Sequence, residues 1–272
     1  AAPLLLQSVT ITNNVQADIN FDFFANRTDA IYTTGNLTIE NSLIANNHTG
    51  LQIFGTPTIE IRSSIFRDNN DGAIRGRGTG FYERTNVSIR NSQIISNTSL
   101  FRNAGIFLSD VSLVIDQTAI DHNRNSIDGA TGSSGNSGGL YISYGDLILT
   151  NSSISNNFTG VSTSSNGGGG LSISRSQALI KNTIIANNTS EDGPGGGLLS
   201  SHGAVEITDS SIINNRAGTG AGIHSNDDSQ IKIHNSTISG NVADWSGGGI
   251  FNGDTSDARS EEHTSELQSR SD

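Results

Sequence analysis

One phrase recurs along this chain and limits what it can fold into: Ile-x-Asn-Ser-x-Ile-x-x-Asn. With small variations it begins at Ile39, Ile61, Ile89, Ile115, Leu149, Ile180, Ile207 and Ile233, and a weaker copy starts at Ile11. The step from copy to copy varies between 22 and 34 residues. Self-similarity on this scale marks a repeat architecture. Each unit buries too little apolar surface to stand alone, and stacking completes the core. The same repetition decides between two readings of the composition. A hydrophobic content of 33% suits either a polar disordered chain or a narrow-cored repeat fold. Regularly placed Ile favours the repeat.

Within a copy, Leu37 and Ile39, Val87 and Ile89, Leu147 and Leu149, and Ile231 and Ile233 alternate with polar neighbours, the period of a strand with one buried face. Five residues after the first Ile comes another apolar position: Ile44, Phe66, Ile94, Ile120, Ile154, Ile185, Ile212 and Ile238. The Asn-Ser between them bends the chain into a second short strand. Gly-rich lead-ins such as Gly168-Gly169-Gly170, Gly195-Gly196-Gly197 and Gly247-Gly248-Gly249 then introduce a third. A hairpin series would need tight turns and up-down alternation. Here a unit of variable length returns to the same phrase, so like strands stack on like strands. The expected fold is all-β: a single-stranded right-handed parallel β-helix, a solenoid of about nine coils with three short strands each. At a strand spacing of about 4.8 Å it would be roughly 40 Å long.

Two polar columns follow from the register. Asn47, Asn69, Asn97, Asn123, Asn157, Asn188, Asn215 and Asn241 share one position, where their amides can bond along the stack. Ser42, Ser64, Ser92, Thr118, Ser152, Thr183, Ser210 and Ser236 form a second column of hydroxyls facing inward. Because one residue type recurs at every coil, both columns are read as scaffold rather than as a binding stripe.

Residues 1–34 are expected to be an irregular N-terminal segment or a first coil, 35–254 the β-helix, and 255–272 a non-native or disordered tail. Arg259 to Ser269 resembles a translated DNA-sequencing adapter and breaks the Gly/Asn/Ile pattern. The chain is therefore expected to be a fragment. Its net charge of −11 argues against a nucleic-acid-binding surface. No apolar run is long enough to cross a membrane as a helix. The absence of Cys excludes disulfides.

The phrase Phe66-Arg67-Asp68-Asn69 with Gly72-Ala73-Ile74 resembles the repeats of polymorphic outer membrane proteins. Asn235-Ser236-Thr237-Ile238-Ser239-Gly240-Asn241 with Gly247-Gly248-Gly249-Ile250 is similar to bacterial secreted proteins of the pectin-lyase-like superfamily. The resemblance covers roughly residues 35–254. It implies a bacterial outer-membrane or secreted location, and it implies fold more than activity, since such folds host adhesins, passenger domains, lyases and hydrolases alike.

No reaction is spelled out by the residues. A polygalacturonase-like order needs an Asp pair before a His-Gly element, whereas Ser201-His202-Gly203 precedes Asp227-Asp228. The spacing Asp121-x-Asn123-x-Asn125 hints at a calcium loop, but Ser126 and Gly132 stand where Gly and Glu are required. His48, His122, His202, His224 and His234 lack metal-ligand spacing and read as surface or turn residues. No metal and no cofactor is expected. The remaining candidate is a presumed insertion, Arg75 to Arg84, which concentrates cations and aromatics: Arg75, Arg77, Tyr82, Glu83 and Arg84 suit carboxylate or sugar recognition. Long Gly/Ser loops at 124–138 and 158–168 are further candidates. The expected function is a non-enzymatic surface or secreted β-helix, adhesin- or autotransporter-passenger-like, whose partner is a carbohydrate or a host or cell-surface protein. The alternative is a polysaccharide lyase or hydrolase whose catalytic coils lie elsewhere.

Overall fold

A computed structural model describes residues 2–14, 29–79, 84–99, 103–125, 137–160 and 167–253. Among them every strand pairing given by the register is parallel, and the chain winds repeatedly through the same faces. Three sheets contain nine strands each. The first runs from Leu4–Gln7 to Gln230–His234, the second from Thr10–Thr12 to Thr237–Ser239, and the third from Asp29–Thr33 to Ile250–Asn252. A fourth sheet of six strands, from Thr98–Ser99 to Val242–Ser246, lies between the second and third in chain order. Three strands per coil was therefore one too few for most of the stack. The first three members of the fourth sheet are two residues long, and none carries an alternating apolar signal.

The core is a set of columns. In the first sheet Ile39 pairs with Ile61, Ile61 with Ile89, Ile89 with Ile115 and Ile115 with Leu149. In the second, Ile44, Phe66, Ile94 and Ile120 stand in successive coils. In the third, Leu51, Ile74, Ile106 and Leu140 do the same. All of these side chains are fully buried. Each contributes roughly 1.5–3 kcal/mol by leaving water, so the stack holds together through many equal increments. Leu4–Gln7 and Thr10–Thr12 pair with the strands of the Leu37 coil, so the described part of the N-terminal segment is a first coil rather than an irregular one.

The corners explain the polar half of the phrase. Between the first and second sheets the chain turns through a left-handed residue, Asn at 41, 91, 151, 182 and 235 and Ser8, Ser63, Gln117 or Asp209 in the other coils, with φ between 44° and 55°. Asn tolerates this region better than most residues because its short side chain bonds locally. The following hydroxyl closes the turn. Ser64 Oγ donates to the Arg62 carbonyl at 2.7 Å and accepts the Ser42 N–H at 3.1 Å, and the pattern repeats coil after coil.

At the next corner the Asn column is a continuous chain of amides. Asn97 donates its backbone N–H and its Nδ2 to Asn123 Oδ1, at 3.1 and 2.9 Å. Asn123 donates in the same way to Asn157, and also from Nδ2 to the Ile94 carbonyl at 2.8 Å. Each internal amide thus accepts two bonds and donates from Nδ2 to two acceptors, which satisfies a group that would otherwise be costly to bury. Asn14 donates to Asn47 Oδ1 from both its backbone and its amide, which extends the column into the first coil, a position the repeat did not single out.

The glycines preceding the third sheet pack against this column. A Cβ on Gly105 would lie 2.1 Å from the Gly139 carbonyl oxygen, and one on Gly139 2.4 Å from that of Gly170 and 3.1 Å from Asn157 Nδ2. The Gly-rich lead-ins are there because no side chain fits.

Candidate functional site

The remaining corner joins each third-sheet strand to the first-sheet strand of the next coil, and it behaves differently. Its left-handed positions are Gly55 and, with φ between 46° and 58°, Asp110, Tyr144, Arg175, His202, Asp227 and Asp228. The four from Asp110 to His202 stack in successive coils: the N–H of Asp110 donates to Ser143 O, that of Tyr144 to Ser174 O, and that of Arg175 to Ser201 O. His202 N–H donates to Asp227 O at 3.0 Å. From Asp110 to Asp227 no residue type repeats in adjacent coils, unlike the buried column from Asn47 to Asn241.

The side chains of this column interact. The Arg175 guanidinium carbon lies 5.6 Å from the centroid of the Tyr144 ring, and Tyr144 is 51% exposed. Ser201 Oγ donates to Asp227 Oδ2 at 2.9 Å, and His202 Nδ1 is 3.1 Å from the same hydroxyl. His202 Nδ1 and Asp227 Oδ2 are 3.9 Å apart. With the Ser proton directed at the carboxylate, the imidazole is not placed to remove it, and the trio is not a nucleophilic triad. A groove of about 380 Å³ runs along this corner. It is lined by Arg175, Gln177, His202, Asp228 and Gln230, by the glycines 145 and 203, and at one end by Arg84 and Asp146. Arg84 and Asp146 form an ion pair that reaches from one coil to the second coil along.

The cationic candidates of the sequence separate in space. Arg75 is not in a loop: Ile74–Arg77 is a strand of the third sheet, paired with Thr49–Phe54 and Ile106–Ser109. The Gly-Arg-Gly spelling reads as a loop, but a Cβ at Gly76 would lie 2.8 Å from Leu108 Cδ2, so glycine is what lets the strand pass. Arg75 is only 7% exposed. Its Nη2 donates to Asp71 Oδ1 at 2.6 Å and to Ser99 Oγ at 3.3 Å. Arg77 is exposed at the end of that strand, and Arg84 alone lines the groove. Tyr82 and Glu83 lie outside the described residues. So do most of the two long loops, although Arg124–Asn125 and Phe158–Thr159 at their starts are fourth-sheet strands. Arg124 stacks on Phe158, 3.9 Å from the ring centroid.

Two further expectations can be placed. Asp121 and Asn123 do not converge on an ion. Asp121 faces outward and accepts from Asn156 Nδ2 at 2.8 Å, while Asn123 belongs to the buried column. Among the described residues no group of three His, Asp or Glu could hold a metal. His224, which reads from the sequence as a surface or turn residue, is a buried strand residue of the third sheet. Its ring stacks on Phe251 with centroids 4.7 Å apart, and its Nδ1 is 3.0 Å from Thr219 Oγ1. Burial pushes its pKa below the usual imidazole value, against smaller upward effects from Thr219 and Asp227.

Stacked parallel strands, a solenoid core and polar corner columns are now all in view, and a family model described as right handed beta helix region matches residues 5–137 and 114–264. The chain belongs to this right-handed β-helix family. No curated protein and no solved structure matches it. The irregular corner of this β-helix was legible in principle. Aligning the third strands and reading one residue beyond each gives Asp110, Tyr144, Arg175 and His202, but the repeated phrase draws attention to the opposite corners.

Proposed function

We propose that this β-helix is a non-enzymatic repeat protein of the bacterial cell surface or secreted fraction, adhesin- or autotransporter-passenger-like, that binds a partner along its irregular corner. The observation that carries this is the spacing of the groove's acids. Asp146 begins one first-sheet strand and Asp228 precedes another three coils on, a separation of about 14 Å at the usual strand spacing. Paired carboxylates that cleave glycosides stand roughly 5–9.5 Å apart. Asp146 is also held by Arg84. The resemblance to polymorphic outer membrane protein repeats supports the surface location.

Incubating the chain with neutral and acidic polysaccharides tests the reading. Retention without new reducing ends or unsaturated products is expected, and turnover would overturn it. Protease shaving of intact producing cells tests the location, with release of chain-derived peptides expected. A second reading, a polysaccharide-cleaving β-helix, is favoured by one feature, the convergence of Ser201, His202 and Asp227 beside the groove. The same turnover assay decides between the two.

A further inference from the structure

The groove's chemistry narrows what it can hold. Most polar columns of this β-helix repeat one residue type because the scaffold needs it. At the irregular corner the scaffold demands only a left-handed turn, which Asn or Gly meets with less strain. Tyr144 and Arg175 are poor choices for that backbone, and neither repeats along the stack. Residues kept in unfavourable backbone regions without a packing reason cluster where a protein meets a ligand.

The groups presented are of mixed type. Arg175 offers planar donors beside an exposed Tyr144 ring. Gln177 and Gln230 are exposed amides that both donate and accept. Asp228 accepts, and among the described residues it forms no ion pair. Glycines 145 and 203 leave the floor without side chains. A polyanion would meet Asp146 and Asp228 within a chain of net charge −11, which opposes its approach. An extended peptide gains its affinity from free strand edges or apolar pockets. Here three of the four first-sheet strands that line the groove are paired on both sides, and the free edge of the last, Gln230–His234, runs across the groove rather than along it. A chain of neutral pyranoses fits better. Vicinal hydroxyls pair with planar Asp, Gln and Arg groups, and a sugar C–H face packs on Tyr. Successive rungs about 4.8 Å apart lie close to the length of one sugar unit in an extended glycan.

We infer that the corner groove lined by Arg175, Gln177 and Asp228, with the exposed Tyr144 ring beside Arg175 at its margin, is a binding site for a neutral oligosaccharide, laid along the helix axis at about one sugar per coil. The inference rests on the reading of this β-helix as a binding protein rather than a cleaving one.

The test uses the full chain against neutral β-glucan and mannan oligosaccharides of two to eight units and a polygalacturonate series of the same lengths. Titration calorimetry and a reducing-end assay are run in parallel. Because Asn already serves at the left-handed corners, Tyr144→Asn and Arg175→Asn keep the turn, and Asp228→Asn removes only charge. Arg67→Ala, on the outer face of the second sheet, is the control. Affinity for a neutral series that rises up to about four units and falls about tenfold in Arg175→Asn, with the control unchanged, is expected; one charge-assisted hydrogen bond is worth about that factor. The inference is overturned if no neutral oligosaccharide binds, if the acidic series binds better, or if the corner variants bind like the parent chain. New reducing ends that disappear in Asp228→Asn would leave the site standing and remove the non-enzymatic reading instead.

Discussion

Two corners of the same coil set one backbone problem and solve it differently. The corner between the first and second sheets needs a positive φ and meets it with short polar residues in most coils, Asn41, Asn91, Asn151, Asn182 and Asn235 beside Ser8, Ser63 and Asp209, with Gln117 in one. The corner between the third and first sheets needs it too and uses Asp110, Tyr144, Arg175 and His202. At the first, the outer amides bond along the stack, as Asn182 Nδ2 does to Asn151 Oδ1 at 2.6 Å and Asn151 Nδ2 to Asp116 at 2.7 Å. The Asn151 bond, with one from Thr150, holds the Asp116 carboxyl below its usual range. At the second, side chains turn toward a groove. Short polar residues that bond locally suit a left-handed turn, so the scaffold selects them; a left-handed Tyr144 or Arg175 does not suit it, and something other than the scaffold selects those.

The sharpest way to break this comparison is to cut the most repetitive column. Asn123→Ala strands the N–H of Asn97, takes one acceptor from its Nδ2 and removes the donor to the Ile94 carbonyl, all buried. A loss of about 4 kcal/mol in denaturant unfolding is expected from the usual cost of buried unsatisfied groups. A loss below about 1 kcal/mol would mean that the column is not what holds the corner. Next in size is Gly105→Ala, whose methyl meets the Gly139 carbonyl, with an expected cost of about 2 kcal/mol by the same measurement.

The irregular corner predicts the opposite sign. Tyr144→Asn relieves a left-handed Tyr and should raise stability by about 0.5–1 kcal/mol while weakening ligand retention. A destabilised variant would show that Tyr144 is scaffold after all. His224 gives a pH signature. Its folded pKa lies below the ordinary 6.5, so the unfolded chain binds the proton more readily and stability falls as pH drops below about 6.5. Unfolding midpoints measured from pH 7.5 to 5 should decline, and His224→Phe should flatten that decline. Smallest is the Arg84–Asp146 pair, whose side chains are both half-exposed. A double-mutant cycle should give less than about 1 kcal/mol, diminishing with added salt.

The sequence reached unevenly into this molecule. The apolar columns through Ile39, Ile44 and their equivalents were readable because strand periodicity and burial agree at every coil. The Asn column was readable because it recurs, apart from Asn14, which precedes the first clear copy. The fourth sheet was not, because Thr98–Ser99 and its partners gain strand geometry from their neighbours rather than from their own residues. Arg75 reads as a loop residue because it opens the run Arg75-Gly76-Arg77-Gly78, and His224 as a surface or turn residue because nothing local announces the Phe251 ring stacked on it.

By itself, then, the sequence determined the coil. Alternating apolar residues, a left-handed polar residue, most often Asn, and a closing hydroxyl are local requirements, and each copy states them. Only the tertiary structure decided which side chains share the irregular corner. Coil lengths vary between 22 and 34 residues, so counting along the chain cannot align positions outside the phrase. Backbone pairing fixes that alignment. It sets Arg175 beside Tyr144 and His202 beside Asp227, and it assembles a groove from residues that no stretch of the sequence holds together.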